Sequence, residues 1–472
     1  MKTLFLWPDQ PAPPSAPVVP HSLDYAGRPS SEKRDELARG LRDQGADAAV
    51  ITQPDSIAWL LNVRGGDVAH SPLPLSFALL HGDGGCEWFV AGGKVGPGLE
   101  THLGDGVRLR APEDLRAALD SLGRAGRRVL ADPETAAFWI FERLRAAGAE
   151  VVPRADPCQL PKARKNAVEL AGARAAHLRD GRALVRFLAW LDGVAAARAE
   201  EGDGISEIEA AERLLAYRRE NELFRNLSFR TISGAGPNGA IVHYSVTAKS
   251  DRRLGLGELY LVDSGAQYLD GTTDVTRTVA IGEPTPEMRD RFTRVLKGHI
   301  ALASARFPRG TTGAQLDVLA RYHLWQTGLD YDHGTGHGVG SYLNVHEGPQ
   351  RIAKVSSRVA LEPGMIVSNE PGYYKAGAYG IRIENLVAVV ESEARSDDER
   401  EMLAFETLTL APIDLTLVDP ALLTAGEIAW LDAYHARVRE AHAARLDAAT
   451  AAWLAKATRP LTGGSGRRGE FK

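Results

Sequence analysis

Cysteine is almost absent from this chain: Cys86 and Cys158 are the only two among 472 residues. Two distant thiols cannot form a disulfide framework, and a structural zinc site would usually recruit more thiolates than this. Packing is the expected role of both, in a reducing cytoplasm. No apolar run approaches the roughly 20 residues of a membrane helix, so no membrane partner is expected. The opening Lys2–Trp7 is too short for a signal h-region and is interrupted by Pro8. An excess of one charge is missing too: 56 basic against 61 acidic residues leave a net −5, which excludes nucleic acid as an obvious partner. No repeat of solenoid period is found. What remains is the composition of an ordinary globular protein, 44% apolar and 25% charged, long enough for two or three domains.

Prolines crowd residues 8–20 and exclude helix and central strand, so residues 1–30 are expected to be an extended arm or linker. From 31 to 160 helices alternate with short apolar strands. Helices are expected over Glu32–Gln44 and Glu134–Ala147, and strands over Ala48–Thr52, Phe77–Leu80, Trp88–Ala91 and Arg127–Ala131. This is the pattern of a small α/β domain. Prolines 153, 157 and 161 in a polar, basic stretch mark the next boundary. A second domain, 161–420, opens with a long helix from Asn166. Ser206-Glu-Ile-Glu209 is a capping box, and Thr285-Pro286 and Thr312 start two more helices. Strands are expected at Thr231–Ser233, Leu259–Asp263, Asp274–Ala280, Met365–Ser368 and Ile381–Val390, and an apolar strand is expected around His243. Helices and antiparallel hairpins together indicate an α+β domain with a curved sheet. Residues 421–461 form an Ala-rich helical extension, and 462–472 a disordered tail.

Asp263, Asp274, His337, Glu370 and Glu384 are the residues that carry chemistry. Four carboxylates and an imidazole in one pocket would repel one another and take up protons unless cations intervened. Two divalent ions would resolve the conflict, and an oxygen-rich set suits Mn²⁺ better than a structural Zn²⁺. Asp263 ends one strand and Asp274 begins the next, with the turn signal Asp270-Gly271 between them. His333-Gly-Thr-Gly-His337-Gly-Val-Gly-Ser341 places two histidines in a loop with four glycines, and His346 follows closely. Arg382 and Glu384 alternate along an expected strand, which places Arg382 to orient a ligating carboxylate.

Together these segments resemble aminopeptidase P, the Xaa-Pro aminopeptidase branch of the pita-bread metallopeptidases. The resemblance is carried by Ser233-Gly-Ala-Gly-Pro-Asn-Gly-Ala-Ile-Val-His-Tyr244, Leu261-Val-Asp-Ser264, Gly271-Thr-Thr-Asp-Val-Thr-Arg-Thr278 and the His333–Ser341 loop. Asn344-Val-His-Glu-Gly-Pro349, Asn369-Glu-Pro-Gly-Tyr-Tyr374 and Gly380-Ile-Arg-Ile-Glu-Asn385 complete it. It implies an α+β catalytic pita-bread domain preceded by a smaller α/β domain like that of creatinase. It further implies that Asp263, Asp274, His337, Glu370 and Glu384 hold two metal ions, commonly manganese. His243, His333 and His346 would line the substrate site. The long loop after His337 resembles the eukaryotic-type branch. Because the chain starts at the proline-rich stretch, the first N-terminal domain of that branch is expected to be missing.

The implied activity is hydrolysis of the N-terminal Xaa-Pro bond of peptides by a hydroxide bridging the two metals. Glu370 would act as general base, His346 would stabilise the oxyanion, and His243, His333 and Arg382 would complete the catalytic set. A homodimer is expected. A proline dipeptidase has the same metal centre and remains the alternative. Creatinase-like enzymes and non-catalytic pita-bread modules lack the ligands that this chain keeps.

Overall fold

In the computed structural model, residues 9, 11–355, 358–392 and 400–461 are described. The expected tail 462–472 and the opening residues 1–8 lie outside them. The chain divides into two compact units, residues 1–162 and 163–472. Among the described residues no helix is long and apolar enough to cross a membrane.

The first unit is built on a six-stranded mixed sheet, ordered Val107–Arg110, Cys86–Phe89, Phe77–His81, Ala48–Ile51, Arg128–Ala131 and Glu150–Pro153. Its middle strands are short apolar runs because both faces are covered. Val50, Leu79, Phe89 and Val129 pack with Leu119 and Leu144, which come from the helices Leu115–Arg124 and Phe138–Ala147. The second of these starts four residues later than the sequence indicates, after a turn stabilised by the Asp132 carboxylate accepting the Glu134 N–H at 2.9 Å. The proline-rich segment is not a free linker from residue 16 onward. The Ala16 N–H bonds the Asp67 carboxylate, Val18 N–H bonds the Lys94 carbonyl, and Val19–Pro20 pair with Val63–Arg64. Proline here occupies an edge, where a missing N–H costs nothing.

The second unit opens with the helix Ala167–Glu200, which carries a capping box between Asn166 and Glu169. Its apolar side, with Leu184, Phe187, Leu188 and Leu191, packs on Tyr260 and Val262 of the strand Glu258–Ser264. Alternation then turns Leu259, Leu261 and Asp263 to the opposite face. That strand is the centre of an antiparallel sheet, Ile232–Ala235, Glu258–Ser264 and Val275–Ile281. A six-stranded antiparallel sheet follows, with Ile366–Asn369 and Asn385–Glu391 in its middle, and Gly336–Gly338 beside Glu347–Ile352 at one edge. The helices Pro286–Ala303 and Gly313–Trp325 pack on each other; Val295, Leu296 and Leu324 are fully buried.

Three expectations need correction. The strand foreseen over Ile381–Val390 is two strands in different sheets, Tyr379–Arg382 and Asn385–Glu391, and Glu384 lies between them. The segment around His243 is not a strand. It follows a 3-10 turn, Gly236–Ala240, and pairs with no strand: Ile241 is 54% exposed, while Tyr244 and Val246 pack inward with Ile232 and Leu261. The Ala-rich C-terminal stretch is two helices, Ala425–His442 and Ala448–Ala457, because the Asp447 side chain caps the second by accepting the Thr450 N–H.

Candidate metal centre and active site

The register of one hairpin positions the first two candidate ligands. Asp263 stands directly opposite Thr276, and Asp274 lies two residues before Thr276, so the alternation puts all three side chains on one face. The Thr276 hydroxyl donates to Glu384 Oε2 at 2.7 Å, and the Glu384 N–H bonds the Thr276 carbonyl at 3.2 Å. Glu384 is thus drawn onto the same face by the break between its two strands. Behind the hairpin, buried Arg277 donates to the Glu384 carbonyl at 2.6 Å, the Asn385 side chain at 2.8 Å and the Ala411 carbonyl at 2.9 Å. It locks the connection that carries Glu384.

The other two members come from the second sheet. His337 Nε2 lies 3.4 Å from Asp274 Oδ2 and 3.6 Å from Glu370 Oε1. Its Nδ1 donates to the Gly338 carbonyl at 3.0 Å, which fixes the ring with Nε2 facing the carboxylates. Ser368 serves both residues: its hydroxyl oxygen accepts the His337 N–H at 2.9 Å and its O–H donates to Glu370 Oε1 at 3.0 Å. The structure therefore brings all five residues together in one cleft of about 540 Å³, along with His243, His333, His346 and Arg382.

Ligand atoms of Asp263, Asp274 and Glu384 lie within 4.8 Å of one another, and so do those of His337, Glu370 and Glu384. Sharing Glu384 between the two groups is what two neighbouring cations require. Asp274, His337 and His346 form a third such group. Three buried oxygens, Asp263 Oδ1, Asp274 Oδ1 and Glu384 Oε1, have no hydrogen-bond partner. Burial raises the pKa of Asp274, and the charges of Asp263 and Glu370 add to it. Glu384 is pushed well up by burial and by Asp274, and Glu370 is raised chiefly by burial. Desolvated, mutually repelling carboxylates with bare oxygens fit hard divalent cations, which would replace the protons that the site otherwise takes up.

Arg382 reaches a candidate ligating carboxylate, that of Asp263, Nη2 to Oδ2 at 2.6 Å, rather than that of Glu384, because the strand ends between positions 382 and 384. Its Nη1 donates to Tyr374 Oη at 2.6 Å, and Tyr374 in turn bonds His333 Nε2 at 2.8 Å, while His333 Nδ1 donates to the Gly334 carbonyl. This chain leaves neither ring nitrogen of His333 free. Burial, with Arg382 adding, holds His333 down to about 3, so it is neutral and accepts from Tyr374. His346 stands with its ring 4.2 Å from that of His337; desolvation within the cleft, with His337 and His243 adding, lowers it to about 4. His243 is exposed at the rim of the cleft. Tyr374, Thr276, Ser368 and Arg277 were not identified from the sequence. Their only signal was adjacency to the motifs, since a hydroxyl beside a ligand has no period or charge pattern of its own.

Residues 171–391 match metallopeptidase family M24, 401–461 the C-terminal region of that peptidase, and 9–169 the creatinase/prolidase N-terminal domain. Aminopeptidase P2 of Arabidopsis thaliana is 42% identical over 97% of this chain and 68% of its own length. The chain belongs to the aminopeptidase P group of metallopeptidase family M24. Among solved structures, an X-prolyl aminopeptidase from Caenorhabditis elegans, described as a cytosolic enzyme with a di-nuclear active site, superposes with a TM-score of 0.90. It is 37% identical, with 97% of this chain and 75% of that one covered. An Xaa-Pro dipeptidase from Bacillus anthracis shares the fold, at TM-score 0.65 and 24% identity over 82% and 99% of the two chains. The match over 9–169 overturns the expectation that the N-terminal domain is missing. The proline-rich stretch was misleading because it pairs at a strand edge within that domain.

Proposed function

We propose that this protein is a metal-dependent aminopeptidase that removes the first residue of peptides with proline in second position. The observation that carries this reading is the cleft itself: five ligand-type side chains, with three buried carboxylate oxygens left bare toward one another. Asp263, Asp274, His337, Glu370 and Glu384 would hold two divalent ions, and the oxygen-rich donor set favours Mn²⁺. When bound, the ions would acidify a water and polarise the scissile carbonyl. The protein's own groups do the rest. Glu370, half-buried and raised in pKa, takes the proton of the attacking water and passes it to the leaving proline nitrogen. His346 donates toward the oxyanion, and His243 contacts substrate from the rim. Arg382 holds Asp263 in place, and its link through Tyr374 fixes the His333 ring as a wall of the site. A proline-preceding bond has no N–H to grip, so a shaped wall matters more than a backbone contact.

The role assigned to the first unit is non-catalytic, over residues 31–160, with catalysis in 161–420 and a helical extension over 421–461. A cytoplasmic location is supported by the description of the nematode enzyme and by two buried free thiols. Its long loop after His337 and its similarity to plant and nematode enzymes support the eukaryotic-type branch. A homodimer is supported by Val318, Tyr322 and Trp325, 41%, 51% and 42% exposed, which share one face of the helix Gly313–Trp325. Tyr322→Glu should convert a dimer into a monomer in sedimentation experiments; a wild-type protein that sediments as a monomer would refute the assignment.

The decisive assay compares Arg-Pro-Pro with a Xaa-Pro dipeptide, before and after chelation and with Mn²⁺ restored. Faster turnover of the tripeptide, dependent on metal, is expected. Strict dipeptide preference would move the protein to the proline dipeptidases.

A further inference from the structure

Arg351 is a cation in the catalytic cleft that the metal centre does not use. It lies in the strand Glu347–Ile352 and pairs in register with His337, so the two side chains rise from the same face. It lines the same cleft as the ligands and is exposed to solvent there. The other arginine in the cleft, Arg382, is buried and spent on Asp263 and Tyr374. Nearby Lys354 is paired with Asp330 at 2.5 Å. Arg351 makes no side-chain hydrogen bond or ion pair among the described residues. An arginine tethered beside an acidic site, yet bound to none of its carboxylates, is available for an anion brought by something else.

Distance decides which anion. Cross-strand partners have Cβ atoms about 5 Å apart, so the Arg351 stem starts about one residue's width from His337. An extended chain advances about 3.3–3.6 Å per residue. With the scissile bond at the ligands, the third residue of a substrate lies roughly 7 Å further along, within the reach of a guanidinium based at position 351. A planar guanidinium also matches a carboxylate in two-point contact.

We infer that Arg351 is a specificity-determining residue that recognises a carboxylate on the third residue of the substrate, either the C-terminal carboxylate of a tripeptide or an Asp or Glu side chain in a longer peptide. This inference rests on the aminopeptidase reading and deepens it.

The test is a ratio of kcat/KM values. Arg-Pro-Ala is compared with its C-terminal amide, and Arg-Pro-Asp-Ala-amide with Arg-Pro-Asn-Ala-amide, in wild type, Arg351→Lys, Arg351→Gln and Arg351→Glu. The first pair reports the chain terminus and the second the side chain. In wild type the acid of at least one pair should be favoured by roughly fivefold, the scale of a partly exposed charge pair. The preference should sit in KM and shrink as salt is raised. It should survive in part in Arg351→Lys, vanish in Arg351→Gln and invert in Arg351→Glu, with metal content equal in all four proteins. Ratios that stay within twofold of wild type in Arg351→Glu, for both pairs, would overturn the inference. If instead none of the Xaa-Pro peptides is cleaved by metal-loaded wild type, it is the aminopeptidase reading that fails.

Discussion

At the scale of single residues, the proposed mechanism separates groups that hold charge from groups that move protons. Asp274 is buried, unpartnered at Oδ1 and close to His337, which supports the ligand role proposed above. Asp274→Asn should therefore lower both metal content and rate, since a neutral amide is a poorer donor to a hard cation. His346→Ala should keep its metal while the rate drops by roughly 10²–10³, the scale of one preorganised oxyanion or proton-transfer group. Metal analysis beside kinetics checks the contrast; equal loss of metal in both would place His346 among the ligands, as its proximity to Asp274 and His337 permits. These residues were legible in the sequence because acidic and imidazole side chains in glycine-rich turns have little packing reason to exist. The hydroxyls of Tyr374, Thr276 and Ser368 were not, because each has a partner far along the chain: His333 for Tyr374, Glu384 for Thr276 across 108 positions, and His337 for Ser368.

At the scale of elements, the cleft depends on how closely two of its walls approach. A Cβ on Gly380 would meet the Gly239 carbonyl oxygen at 1.7 Å, far inside any real contact. One wall carries the turn leading to His243 and the other the strand leading to Arg382. Gly380→Ala should force them apart at about 1–3 kcal/mol, the range for overpacking, and lower kcat/KM along with the melting temperature. Calorimetry and kinetics on one preparation check this; an unchanged melting temperature would show that the walls part freely. Such a requirement is invisible in the sequence, where Gly380 looks like any strand glycine. The strands Ile232–Ala235, Glu258–Ser264, Val275–Ile281 and Ile366–Asn369 were legible from apolar runs and turn signals, whereas Gly336–Gly338, Glu347–Ile352 and Met402–Thr407 were not foreseen. The expected strand through Ile381–Val390 was misread, since its alternation continues smoothly across a change of sheet. The segment at His243 failed for the opposite reason: an apolar run reads as a strand even where it caps the rim of a cleft.

For the whole molecule, metal and pH act on one balance. In metal-free protein the buried carboxylates Asp274, Glu370 and Glu384 hold protons more tightly than in the unfolded chain, where such groups titrate near about 4. The folded state then binds more protons than the unfolded one as pH rises from about 4 towards those raised values, and its stability falls through that window. Buried His299 and His435 act the other way. Burial, with Arg277 adding, holds both at about 3, so stability is lost as pH falls from about 6.5. That loss is common to metal-free and metal-loaded protein and cancels in their difference. The gain in melting temperature on adding Mn²⁺ should therefore be larger at pH 7.5 than at 5.5, and a gain that shrinks with rising pH would contradict the carboxylate assignment. The order of synthesis adds a consequence. Asp263 leaves the ribosome 119 residues before its partner Arg382. At about 5–20 residues per second, this carboxylate waits roughly 6–24 s for its guanidinium. A cation met during that interval would find only part of the proposed cage, which is complete only once Glu384 has emerged as well.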